Sequence, residues 1–183
     1  MKQKILVIIF SGLLFACGSE SRISKDLDCD SDGYPNLEKI EDFKKLYAVQ
    51  YPDNWKTNLY YDKNQSSIFT ADTTKQLTET MMLDITHVSN KLELDDAFIL
   101  KFKKGLVNEK LVETASYEFQ FKDKEAYFSR AIGKKRGFDY QVLNIFIKIN
   151  TESYMTAEIR VFGDSIVNQR LCNGISLLEK IEF

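Results

Sequence analysis

Apolar side chains recur along the chain at two spacings. Met81, Leu83, Ile85 and His87 alternate with Met82, Asp84 and Thr86, and Met155, Ala157, Ile159 and Val161 alternate with Thr156, Glu158 and Arg160. A period of two marks strands with one face inward. Tyr117, Phe119 and Phe121 alternate in the same way with Glu118, Gln120 and Lys122. Residues 46–50 read as a short strand ended by Tyr51-Pro52, and 59–61 with 67–71 as a hairpin around Asp62-Lys63-Asn64. Residues 126–132 and 138–149 flank Lys134-Lys135-Arg136-Gly137, the pattern of a hairpin tip. Two segments switch to helical spacing. Ala97, Phe98, Lys101, Phe102 and Leu106 follow Leu94-Asp95-Asp96, where Asp95 or Asp96 can cap the free amides, and Gly105 stands near the end. Ile166, Val167, Leu171, Ile175 and Leu178 follow Asp164 or Ser165, the expected cap. Ile181-Glu182-Phe183 closes the chain as a short edge strand.

The order is strands, helix, strands, helix. Short turns between successive strands imply an antiparallel sheet, and two amphipathic helices would cover it on one or both faces. The expected class is α+β. Residues 18–33 are rich in Ser, Asp and Gly and read as a tether, and apolar density rises from about Leu37. The predicted organisation is a leader over 1–16, a modified cysteine and flexible tether over 17–42, and one folded domain over 43–183.

The leader changes the picture most. Lys2 and Lys4 precede an apolar run from Ile5 to Phe15, too short for the roughly 20 residues that a bilayer span needs. It reads as the core of a signal peptide. The passage Leu14-Phe15-Ala16-Cys17-Gly18-Ser19 resembles the lipobox of bacterial lipoproteins, with Phe15 departing from the small residue commoner there. That resemblance implies acylation of Cys17, and two or more acyl chains anchor stably where one binds marginally. The expectation is a palmitate-type lipid anchor holding the protein to a membrane in the cell envelope, on the non-cytoplasmic side. Cleavage would remove two lysines and no acids, moving the net charge from −2 to about −4. The lipid, not an acidic surface, would hold the body at the bilayer.

Composition narrows function mainly by exclusion. With 25 Lys and Arg against 27 Asp and Glu, no cationic excess favours nucleic acid. One histidine, His87, disfavours multi-histidine metal sites. Beyond Cys17, the even pair Cys29 and Cys172 in an oxidising compartment is predicted to form a disulfide, the alternative being two free thiols.

Tyr51-Pro52-Asp53-Asn54-Trp55 after the opening strand, the helix near 94–105, the run of hairpins, and the closing helix before Leu178-Glu179-Lys180-Ile181-Glu182-Phe183 together resemble a PsbP-like domain over about residues 43–183. The resemblance implies an antiparallel sheet sandwiched between helices. It implies no fixed catalytic constellation, and an accessory or assembly role at a membrane complex.

Four further groups are candidates. Asp28, Asp30 and Asp32, with the Tyr34 carbonyl and Asn36, resemble the start of a calcium loop before Gly33, but Lys39 stands where a bidentate acid is wanted. A solvated acidic linker is the competing reading. Tyr51, Trp55, Tyr60 and Tyr61 are candidates for a ligand pocket, against ordinary packing. His87 is expected to be a packed strand residue. Lys134-Lys135-Arg136 and Lys101, Lys103 and Lys104 read as a solvated tip and a solvated helix face. No phosphate loop, nucleophile elbow or metalloprotease helix occurs in the sequence. The overall expectation is a non-catalytic accessory or binding protein with an envelope protein as partner. A calcium- or small-ligand-binding module is the alternative.

Overall fold

The alternating segments pair into one large antiparallel sheet in the computed structural model, which describes residues 21–30 and 33–183. In chain order the elements are α1 (Arg22–Asp26), β1 (Leu37–Glu41), β2 (Ala48–Pro52), β3 (Lys56–Tyr61), β4 (Gln65–Ala71), β5 (Met81–Val88), α2 (Asp96–Asn108), β6 (Leu111–Phe121), β7 (Lys124–Lys135), β8 (Phe138–Lys148), β9 (Tyr154–Phe162) and α3 (Val167–Leu178). Seven strands form the sheet in the order β3-β4-β5-β9-β8-β7-β6, and β1 and β2 form a separate hairpin. Each neighbouring pair is antiparallel. The fold class is therefore α+β, as expected.

The two long hairpins turn where the sequence allows it. Arg136 and Gly137, between β7 and β8, both have positive φ, as do Lys122 and Asp123 between β6 and β7. Two successive left-handed residues match the right-handed twist of the flanking strands.

Alternation along the central strands separates the two faces. Leu83, Ile85, Leu143, Ile145, Met155, Ala157 and Ile159 face the main core, which α3, the β1–β2 hairpin and Ile23 of α1 complete. Gly174 lets α3 approach closely, because a Cβ there would meet Ile159 Cγ2 at 2.8 Å. On the opposite face α2 packs Phe102 and Leu106 against Leu111, Ala131, Tyr140, Val142 and Phe162. Asp95 caps this helix by accepting from the Phe98 amide at 2.8 Å. The smaller apolar cluster lies toward the β6–β8 side, so much of this second face is left uncovered.

Three expectations need correction. The tether predicted for residues 17–42 is folded over its described residues, 21–30 and 33–42. Ser21 caps α1, Ile23 is 1% exposed in the core, and β1 pairs with β2. The folded body therefore includes the described residues 21–42 and does not start at 43. Ile23 and Leu27 lie one helical turn apart and pack against the main core, and Asn168 of α3 donates to the Leu27 carbonyl. Second, neither Asp164 nor Ser165 caps α3. Ile166 holds the N-cap position in left-handed backbone with no side-chain cap. Gly163 donates to the Asp139 carbonyl there, so the turn out of β9 is tied to β8 before the helix begins. Third, the last residues add only one bridge, Glu182 with Ala48, to the small hairpin.

Candidate functional site

The uncovered part of the second face forms a cleft of about 720 Å³ between α2 and the sheet. Its helical side is the stripe Phe98, Lys101, Phe102 and Gly105, at the spacing of one helix face. Phe98 and Phe102 stand edge-on to Phe146 of β8, with ring centroids 4.9 and 5.1 Å away, and make an aromatic wall. The floor comes from the polar positions of β8 and β9, where Glu158 pairs across the strands with Asn144 and Arg160 with Val142.

The charges on this floor satisfy one another. Arg160 donates through Nε to Glu158 at 2.7 Å, and its Nη2 lies 3.4 Å from Asp84 of β5. Burial would lower the Arg160 guanidinium, but Glu158 and Asp84 beside it hold it above its ordinary value. Under α2, Lys103 pairs with Glu113 at 2.9 Å, and Glu113 also accepts from the Ser129 hydroxyl at 2.8 Å. Burial works to raise that carboxyl, yet Lys103 and Ser129 hold it below the usual range. Asn144 differs from these neighbours. It is 6% exposed, and its buried Nδ2 has no hydrogen-bond partner.

The residues singled out in the sequence are dispersed. Cys29 and Cys172 form a disulfide with Cα atoms 5.3 Å apart, which fastens the segment after α1 to the middle of α3. Cys17 lies outside the described residues, as does Asp32. Asp28, Asp30 and Asn36 are exposed, and among the described residues no group of three His, Cys, Asp or Glu converges as metal ligands. The half-buried Tyr34 instead accepts from Asn173 and stands edge-on to Trp55 at 5.2 Å.

The proposed aromatic pocket is corrected: its four rings divide. Tyr51 is fully buried and Trp55 nearly so, whereas Tyr60 and Tyr61 are exposed on β3. Tyr51 is drawn into the core because β2 is buried at both ends, while β3 is an edge strand. His87 is buried, as expected of a packed strand residue. The basic residues are more engaged than a solvated reading implies. Lys134 pairs with Asp139, Lys135 with Glu109, and Lys101 lines the cleft.

Sequence reasoning missed Asn144, Glu158 and Arg160 as a site. The signal was present in the alternation of β5 and β9. Asp84 on β5 and Thr156, Glu158 and Arg160 at alternate positions of β9 mean a face that no helix fully covers.

No protein-family model matches the chain, and no curated protein matches it by sequence. Solved structures do. The chain resembles PsbP of the cyanobacterium Synechocystis (CyanoP), at 12% identity and TM-score 0.58 over 84% of this chain and 96% of that one. It resembles the Ran-binding protein Mog1p of Saccharomyces cerevisiae at 10% identity and TM-score 0.51, over 80% and 95%. It also resembles a Bacteroides thetaiotaomicron protein at 11% identity and TM-score 0.52, over 80% of this chain but 48% of that larger one. At such identities the likeness is one of fold: an antiparallel sheet with helices on both faces, the architecture of a PsbP-like domain.

Proposed function

We propose that this protein is an exported, lipid-anchored, non-catalytic accessory protein that binds a segment of an envelope partner protein in the cleft beneath α2. The observation that carries the binding reading is the open cleft of about 720 Å³ between α2 and the sheet. The aromatic wall of Phe98, Phe102 and Phe146 suits an apolar side chain on that segment. Lys91 and Lys101 on the rim suit acidic residues beside it. The accessory reading is supported by the floor charges, which are engaged in ion pairs rather than poised for proton transfer.

Export is supported by the leader and by the disulfide, which belongs to an oxidising compartment. The anchor would sit close to the body. From Cys17 to Ser21 the chain reaches at most about 14 Å, at roughly 3.5 Å per residue.

Co-purification from native membranes tests the cleft. Wild-type protein should recover a reproducible partner, and Lys91→Glu with Lys101→Glu should reduce that recovery at least tenfold without changing the melting temperature. Recovery of the same partner by the charge-reversed protein, or of none by the wild type, overturns the reading.

A further inference from the structure

The seven-stranded sheet has two edges, and they are finished differently. At the β6 edge the ladder is broken by a bulge between Glu113 and Ala115. The Arg22 guanidinium donates to the Glu118 carbonyl, while α2 packs alongside. These features are what proteins use to blunt an edge against pairing. The β3 edge carries no bulge in its register and no proline. Instead it gathers exposed apolar side chains: Leu59, Tyr60 and Tyr61, with Phe43 stacked on Tyr61 at 3.7 Å.

The free backbone groups of β3 can be identified. Asp62 donates to the Gln65 carbonyl at 3.0 Å, which closes the β3–β4 hairpin. Bonded and non-bonded pairs alternate in an antiparallel ladder. Tyr60, Asn58 and Lys56 therefore turn their amides and carbonyls toward β4, and Thr57, Leu59 and Tyr61 turn theirs outward. The far side of β4 agrees. Ser89 donates to Asn64 at 2.7 Å, so the even-numbered groups of β4 face β5 and the odd-numbered ones face β3.

We propose that β3 is a homodimer edge, pairing antiparallel with β3 of a second copy about a two-fold axis through Leu59. Outward groups at 57, 59 and 61 permit this register: Leu59 opposite Leu59 of the other copy, and Thr57 opposite Tyr61. The same register sets Lys56 directly opposite Asp62 in a non-bonded pair, where side chains come closest. The charges are complementary twice over, once on each side of the axis. Asp62 Oδ1 is occupied by the amides of Asn64 and Gln65, which leaves its second oxygen for the lysine. Lys56 has no ion pair among the described residues. Leu59 then packs on Leu59, and Tyr61 with Phe43 covers Thr57.

The opposite end of the sheet is compatible with this dimer. The described chain begins at Ser21, beside the β6 edge, six strand spacings from β3 or about 29 Å. The axis is normal to the sheet, so both copies of α1 stay on one face. The two lipid anchors proposed above would reach the same bilayer, with both α2 clefts turned away from it.

Sedimentation velocity of the full chain tests this. Dimer should replace monomer as concentration rises through about 10–100 μM, the weak range expected of one strand pair. Lys56→Glu should weaken dimerisation at least tenfold. Leu59→Cys should cross-link on oxidation, with the 59–59 bridge identified by peptide mapping, and Tyr60→Cys should not. A monomer up to about 1 mM, an unchanged dimer in Lys56→Glu, or equal cross-linking through position 60 overturns the proposal. Lys91→Glu with Lys101→Glu should leave the dimer intact, so failure of the cleft and failure of the edge are read separately.

Discussion

His87 and Asp42 lie near each other at a polar corner of the main core. The Asp42 carboxylate accepts from the backbone amides of Lys44 and Tyr47, both at 2.9 Å. Burial works to raise it, but the neighbouring Ser66 side chain and these amides hold it below the usual carboxylate range. Burial lowers His87, with Lys44 adding to the effect and Asp42 opposing it, and its Nδ1 has no partner. Both groups bind protons less readily folded than unfolded. Their contribution to stability is therefore present above the unfolded values, near 6.5 for histidine and 3.9 for aspartate, and is lost as pH falls below them. Urea midpoints should begin to drop as pH falls below about 6.5 in the wild type. In His87→Gln they should stay flat until about pH 5, where carboxylates begin to protonate. Parallel acid limbs in the two proteins would refute this. The period-two pattern was enough to place His87 on a packed face. It could not supply Asp42 as a neighbour, because Asp42 lies in the turn of the small hairpin and meets His87 only through the packing of that hairpin on the large sheet.

At the scale of elements, the N-terminal segment depends on what it is fastened to. A five-residue helix has no stability of its own. α1 is held by Ile23 in the core, by Arg22 stacked 4.0 Å over Tyr117, and by the Cys29–Cys172 bridge. The bridge closes a separation of 143 residues, for which chain entropy gives about 4–5 kcal/mol as an upper value. Cys29→Ser with Cys172→Ser should lower stability by about 2–4 kcal/mol. It should also bring the first proteolytic cuts to residues 21–36, read by mass mapping of a limited digest. First cuts elsewhere, at unchanged rate, would contradict this account. The same dependence explains why the segment reads as a tether in the sequence. Its few apolar residues are isolated in a polar run, and their partners lie on a helix more than 140 residues away. The long strands and α2 were legible because their neighbours in sequence carry the pattern.

For the whole molecule, the proposed anchor and the two faces of the sheet would together set the orientation. If Cys17 is acylated, the N-terminal peptide of the membrane-extracted protein should carry the mass of a diacylglyceryl group, and Cys17→Ser should shift the protein to the soluble fraction. An unmodified thiol in membrane-extracted protein would remove the anchor from the account and leave the fold untouched. With a reach of about 14 Å, the body would ride near the bilayer rather than search a wide radius.

What the sequence determined by itself was the class of the elements from β2 onward. Alternation and helical spacing are properties of contiguous residues, and the cysteines can be counted without the fold. The α+β sheet, a helix capped at Asp95 or Asp96 and the expectation of a Cys29–Cys172 bridge follow from these. Tertiary structure alone decided which faces are covered. It sent Tyr51 inward and Tyr60 outward, brought Asp84, Glu158 and Arg160 onto one floor, and left Asn144 without a partner beside α2. The reason is that coverage depends on how far a helix extends across a sheet, and strands β5, β8 and β9 become neighbours of one another only through the order of pairing.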